Sequence, residues 1–243
     1  MSRAVLGIDT SGTWCSVALL RADAVHARRA DVGNAHAEHL LTLVDDVLVE
    51  ADVALADCDA IAFGAGPGSF TGLRVACAVA QGLAFGAGLP VAAIGTLEAL
   101  AHSLGADERA PPGTVLVAQD ARMGEIYWAL FERVDRRLVV RAGPGLSAPG
   151  SLRERLREID VAVPLDIGCG NAWAIHGETL DGLVRQVVAR VAADAVDVAA
   201  LGMRAVIEGR LIAAADAAPI YVRNDVARTT AERAALARGE VVA

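Results

Sequence analysis

Two stretches of this chain are written in the same pattern, and that repetition constrains the fold more than any other feature. Val5-Leu6-Gly7-Ile8-Asp9 is an apolar run ending in aspartate, followed by a short turn and a second apolar run over residues 14–20. Val115-Leu116-Val117-Ala118-Gln119-Asp120 leads in the same way through a turn into residues 125–131. Apolar runs of this length bounded by turn residues read as strands. Each stretch therefore predicts a hairpin with a carboxylate at its neck. A hairpin written twice predicts two lobes of one design, and 243 residues suffice to give each lobe a core. Between them, residues 105–113, with Pro111-Pro112, read as a linker. The expected organisation is a first lobe over residues 1–105, a smaller second lobe over 106–225 and a tail over 226–243.

Within the first lobe, residues 5–9, 15–20 and 24–30 read as three consecutive strands. The period then changes: Leu40, Val44, Val47, Leu48 and Ala51 recur at helical spacing, with Leu41 and Leu43 on a second face. Residues 60–64 follow as a buried strand, residues 69–85 as a helix and residues 91–94, after Pro90, as another strand. Three strands, then helix, strand, helix, strand is the order of ribonuclease H-like domains. The second half fits the same plan with a strand at 138–141, a helix at 151–158, a strand at 165–168 and helices at 183–193 and 196–208. The fold class expected is α/β, a two-lobed actin-like fold built from duplicated ribonuclease H-like lobes.

Composition narrows the chemistry. Every basic residue is arginine: the chain has no lysine. A phosphate loop of the Walker type needs its lysine on the nucleotide, and Schiff-base chemistry needs a lysine amine, so both are excluded, as is Ser-Lys catalysis. A net charge of −8 argues against this chain alone gripping a nucleic acid. Hydrophobic residues make up 54% but aromatics only 4%, so the cores must be built from Ala, Val and Leu, which lets backbones approach closely. Cys15, Cys58, Cys77 and Cys169 are scattered without ligand spacing, as expected of reduced thiols in a cytoplasmic protein. The most apolar stretch, residues 75–94, is interrupted by Gln81, several glycines and Pro90, so no membrane span is expected.

The segment Phe63-Gly64-Ala65-Gly66-Pro67-Gly68-Ser69-Phe70-Thr71-Gly72-Leu73-Arg74 carries a strand through a glycine-rich turn into a helix. Such a junction leaves backbone N–H groups pointing outward, where an anion or a partner could bind, and Ser69 or Thr71 could cap the helix. A tight structural turn accounts for it equally well. Asp9, Thr10, Ser11, Gly66, Gly68, Ser69 and Asp120 are the candidate contacts to a nucleotide or other anion. Against that, Ala121-Arg122-Met123 puts side chains where close approach to phosphate favours glycine. Asp120 has alternatives in pairing with Arg122 or capping a turn. His36 and His39 share a helix face, but a third metal ligand is not evident and a solvated first turn is the plainer reading.

Taken together, Ile8-Asp9-Thr10-Ser11, the 64–74 segment, Ala80-Gln81-Gly82-Leu83-Ala84, Gly95-Thr96-Leu97, Asp120-Ala121-Arg122-Met123-Gly124-Glu125-Ile126-Tyr127 and Pro219-Ile220-Tyr221-Val222-Arg223 resemble the TsaB family in content and order. The resemblance runs from residue 4 to residue 226. It implies a non-catalytic, actin-like subunit that pairs with the catalytic protein TsaD. With TsaE as a third protein, that assembly transfers a threonylcarbamoyl group to the adenosine beside the anticodon. TsaD-like relatives carry an HxxxH metal pair just after the strand at 91–94, where this chain has Gly95-Thr96-Leu97-Glu98-Ala99-Leu100-Ala101-His102 with one histidine. The resemblance thus implies no cofactor held by this chain alone, ATP/ADP and a metal belonging to the partner complex, and tRNA reached only through that complex. An all-apolar helix must be covered on both sides. The surface expected to meet TsaD, or a second copy of the chain, is therefore drawn from Leu40, Leu43, Val44, Val47, Leu73, Ala76, Cys77, Ala80, Leu83 and Ala84. The competing reading of those residues is plain core. The competing readings of the whole chain are an actin-like ATPase or kinase, a peptidase acting on its own, and a direct tRNA binder.

Overall fold

The structure is a computed structural model that describes residues 3–22, 24–33, 35–104, 113–134, 137–188 and 192–223. The predicted linker (but for its last residue) and the predicted tail lie outside the described residues. The first sheet contains β1 (Ala4–Asp9), β2 (Trp14–Arg21), β3 (Ala24–Asp31), β4 (Ala60–Gly66) and β5 (Val91–Gly95) in the order β3-β2-β1-β4-β5. The second contains β6 (Gly113–Arg122), β7 (Glu125–Val134), β8 (Arg137–Ser147), β9 (Leu165–Cys169) and β10 (Val184–Val188) in the order β10-β9-β6-β7-β8. Read from the other edge, the two orders are identical. In each, the first strand pairs antiparallel with the second and parallel with the fourth. The repeated hairpin in the sequence is thus the visible part of a fully repeated sheet.

Helices α1 (His36–Ala51) and α2 (Phe70–Ala87) cover one face of the first sheet. Their residues Leu40, Val44, Val47, Ala76, Ala80 and Ala84 meet Leu6, Ile8, Ile61 and Phe63 in one core. Among the described residues, α2 is long and apolar enough by length and composition to cross a membrane, yet here its inner face lies on that sheet. In the second lobe, α4 (Leu152–Glu158) and α5 (Ala172–Leu180) pack Leu152, Leu156, Trp173 and Leu180 on Leu116, Ile126 and Leu130. Between the lobes sits α3 (Thr96–His102), whose Leu97, Leu100 and Ala101 bury against Val115, Val117, Phe131 and Cys169 of the second sheet.

The other face of the first sheet is covered from the far end of the chain. Helix α6 (Ala195–Glu208) packs Val198, Leu201 and Ala205 against Val5, Ala62, Ala92 and Ile94. Two glycines make this possible: a β-carbon at Gly7 would lie 2.5 Å from the Ala195 carbonyl oxygen, and one at Gly202 2.4 Å from the Ala62 β-carbon. The scarcity of large side chains is the condition for this close helix-on-sheet contact. The sequence reading assigned residues 106–225 to the second lobe, but α6 and the segment after it pack on the first. The linker is the local boundary signal, and nothing local in sequence announces that the chain returns. A second correction concerns residues 183–193, expected as a helix. Val184-Arg185-Gln186-Val187-Val188 instead pairs parallel to β9, with Val184 opposite Leu165, because β-branched residues pack well on a pleated surface. After α6, Ile212 bridges to Val91, and the chain runs back across the molecule to Arg223.

Candidate functional site

The first neck is closed upon itself. Asp9 ends β1 and is 1% exposed. Both its carboxylate oxygens accept from the Ser11 hydroxyl at 3.0 Å, and Oδ1 also accepts from the Ser11 N–H at 3.2 Å. Burial pushes the carboxyl up to about 7, the Ser11 hydrogen bonds opposing and the nearby Asp194 charge reinforcing it. The glycine-rich loop is wrapped around this turn. The Ser69 N–H donates to the Ser11 carbonyl at 2.8 Å, and the Thr10 hydroxyl donates to the Gly72 carbonyl at 2.7 Å. A β-carbon at Gly68 would lie 2.6 Å from the Ser11 oxygen, and one at Gly72 1.8 Å from the Thr10 oxygen. The structure therefore brings Asp9, Thr10, Ser11, Gly68 and Ser69 together, but facing one another. The glycines here grant approach to a peptide backbone, the tight structural turn that the sequence leaves open beside an anion or partner contact. Ser69 caps α2, its side chain accepting from the Gly72 N–H.

At the second neck, Asp120 pairs with His176 of α5 (Nε2 to Oδ1 3.1 Å), not with Arg122. The Asp120 N–H donates to Asn171 Oδ1 at 2.7 Å, and the Asn171 N–H returns to Gln119 Oε1. Gly170, at φ +113°, lets the chain pass 2.0 Å (measured to an added β-carbon) from the Ala118 oxygen. His176 escaped the sequence reading because nothing in its spacing links it to residue 120. The hairpin tip turns through Arg122, Met123 and Gly124 at φ +60°, +56° and +77°, leaving Met123 78% exposed.

The segment 219–223 ties these parts together. The Ile220 N–H donates to the Ala65 carbonyl at 2.7 Å, and the Ile220 oxygen lies 2.5 Å from where a β-carbon on Gly66 (φ +128°) would sit. Arg223 then binds Glu125 of the second lobe at 2.6 Å. Tyr221 accepts from Arg74 Nε at 2.9 Å.

Of the ten residues expected to meet a partner, Leu40, Val44, Val47, Leu73, Ala76, Cys77, Ala80 and Ala84 are buried in the first lobe, and Leu43 and Leu83 are half-buried. They form the inner faces of α1 and α2. An all-apolar helix gives no sign of which face looks inward, and the residues expected at the interface lie on the sheet side. The outer face carries Leu41, Val49 and Phe85, the last two about four-fifths bare at 81% and 80%, with Ala78, Gly82 and Gly86 exposed alongside. Arg74 is the one charged residue of α2.

His36 is buried at the start of α1, and burial holds its imidazole below the usual histidine range, while His39 is exposed. His102 Nδ1 lies 3.0 Å from Asp197 Oδ1 and so joins α3 to α6. Among the described residues no group of three His, Cys, Asp or Glu side chains is placed to hold a metal ion.

Fold and site define a two-lobed, actin-like protein whose necks are occupied by its own side chains and whose first-lobe helices are bare on their outer faces. Residues 29–237 match the family described as TsaD: tRNA N6-adenosine threonylcarbamoyltransferase. The tRNA threonylcarbamoyladenosine biosynthesis protein TsaB of Escherichia coli is 35% identical over 92% of this chain and 96% of its own length. That of Haemophilus influenzae is 44% identical over 53% of this chain and 54% of its own. The solved structure of YeaZ from Pseudomonas aeruginosa superposes with a TM-score of 0.79 at 34% identity, over 90% of this chain and 99% of that one. The chain belongs to the TsaB family of tRNA threonylcarbamoyladenosine biosynthesis proteins.

Proposed function

We propose that this chain is the non-catalytic partner of TsaD in the transfer of a threonylcarbamoyl group to N6 of the adenosine beside the anticodon, and that it docks through the outer faces of α1 and α2. The observation that carries this reading is the outer face of α2, where Ala78, Gly82, Phe85 and Gly86 are exposed on a helix with a single charge. A β-carbon at Gly82 or Gly86 would meet nothing within 4 Å, so a facing helix has room to approach closely. Bare apolar surface of this kind marks protein contacts. The closed first neck supports the non-catalytic half of the reading: a carboxyl group that is 1% exposed and hydrogen-bonded by Ser11 is shut off from solvent. On this reading ATP/ADP and a metal belong to the partner complex, TsaE joins as a third protein, tRNA is reached through the assembly, the free chain can pair with itself, and the setting is cytoplasmic.

The test is co-elution of the purified chain with TsaD on size exclusion, repeated with Ala78→Arg. A complex with the parent chain and none with the variant, the two proteins melting alike, is the expected result. Equal complex formation by the variant contradicts the proposed face.

A further inference from the structure

We infer that the docking surface for the partner does not end with the two helices but continues across both lobes as an aromatic and arginine platform, which receives a protein surface presenting carboxylates beside an apolar knob. This rests on the TsaD-partner reading above and deepens it.

The platform begins at the first turn of α2. Phe70 and Tyr221 lie with ring centroids 5.7 Å apart, and the Arg74 guanidinium sits 3.7 Å over the Phe70 ring while donating to the Tyr221 hydroxyl. Phe70, Ile220 and Tyr221 are 41%, 40% and 42% exposed, although a chain with 4% aromatic residues has few to leave in water. Two residues further, Arg223 reaches the hairpin tip, its Nη1 3.6 Å from the Met123 sulfur and its Nη2 2.6 Å from Glu125. Met123 stands 78% exposed beside the exposed Arg122. Phe70, Tyr221, Met123 and the arginines Arg74, Arg122 and Arg223 thus form one surface that starts on α2 and ends on the second lobe. These are the residue types enriched where interfaces carry their binding energy.

Charge selects the occupant. Among the described residues, neither Arg74 nor Arg122 has a carboxylate partner, whereas Arg223 is matched by Glu125. On a chain of net charge −8, two cations without carboxylate partners flanking an apolar patch call for acidic side chains from outside. The same overall charge disfavours an extended polyanion, and continuity with the bare face of α2 favours a protein. Arg74 contacts both Phe70 and Tyr221 in the free chain, so the three side chains are already arranged as one group before binding.

The experiment measures binding kinetics of TsaD to the immobilised full chain for the parent, Arg122→Glu, Met123→Asp and Ala78→Arg. Arg122 and Met123 lie on an exposed turn, so the variants should keep the parent melting temperature, which is checked first. Expected are affinity losses of about tenfold for Arg122→Glu and Met123→Asp, and an association rate that falls less with added salt in Arg122→Glu than in the parent. Parent-like binding by both, with Ala78→Arg still failing, overturns the platform and leaves the α2 docking face standing. Parent-like TsaD binding by Arg122→Glu with weakened retention of a tRNA anticodon stem-loop overturns it in favour of RNA. Failure of the parent chain itself to bind TsaD removes the underlying reading and this inference with it.

Discussion

Asp9, at the end of β1, and Gly64, within the neighbouring parallel strand β4, lie so close together that a β-carbon at residue 64 would stand 1.9 Å from Asp9 Oδ2. Because the carboxylate is 1% exposed and tied to Ser11, either it must give up those hydrogen bonds or the backbone must move. Gly64→Ala is expected to cost about 3 kcal/mol, the upper end of what overpacking a core usually costs. Urea unfolding checks it. Adding Asp9→Ala to Gly64→Ala should restore part of the loss, since the two residues compete for one space.

The Asp9 carboxyl also makes stability depend on pH. Its folded-state value, raised by burial from 3.8 to about 7, means the native state binds more protons than the unfolded chain between those values. Stability from this group is therefore fully present below about pH 4 and lost as pH rises through 7. Asp9→Asn should be more stable than the parent at pH 8, by on the order of 2–4 kcal/mol, with the advantage shrinking toward pH 5. The comparison of variant with parent is the measurement, because His36, held low by burial, acts in the opposite direction as pH falls.

Two pairs of substitutions on α2 should separate folding from docking. Ala76 and Ala80 are fully buried, so arginine at either position is expected to lower the melting temperature sharply or prevent folding. Ala78 and Gly82 are exposed, so arginine there should leave the melting curve near the parent's and remove TsaD from the complex. Circular dichroism melts and size exclusion on the same samples distinguish the two.

Helix α6 belongs to the first sheet's core, and Gly202 is where it touches. A valine there would force its β-carbon to within 2.4 Å of Ala62 and also crowd Val5. Gly202→Val should be destabilised by about 3 kcal/mol or more, as overpacking of a helix–sheet contact predicts. Hydrogen exchange should show the loss of protection in β1 and β4, on the far side of the sequence from the substitution.

The repeated architecture was legible in sequence because a strand ending in aspartate is a local pattern, and Val5-Leu6-Gly7-Ile8-Asp9 and Val115-Leu116-Val117-Ala118-Gln119-Asp120 carry it in contiguous residues. The path of α6 was not legible, because its contacts with Val5, Ala62 and Ala92 join residues far apart in the chain. The glycine-rich loop was legible as a close approach but not as to what approaches: Gly68 and Gly72 accept Ser11 and Thr10, for which the sequence offers no pairing signal. The orientation of α2 was hidden by its own uniformity, since Ala76 and Ala78 are alike as letters and opposite in exposure. The strap from Pro219 to Arg223 was visible as a motif, while its hold on Ala65 and Glu125 required three dimensions.

The central claim is that the chain completes a threonylcarbamoyltransferase without doing the chemistry. Its most direct test is threonylcarbamoyladenosine formation on tRNA by purified TsaD and TsaE, with the threonylcarbamoyl donor supplied, in the presence and absence of this chain. Product that depends on the chain, survives Asp9→Asn and is lost with Ala78→Arg is the expected result. Full product without the chain, or loss of product on Asp9→Asn in a variant that folds and still binds TsaD, contradicts it.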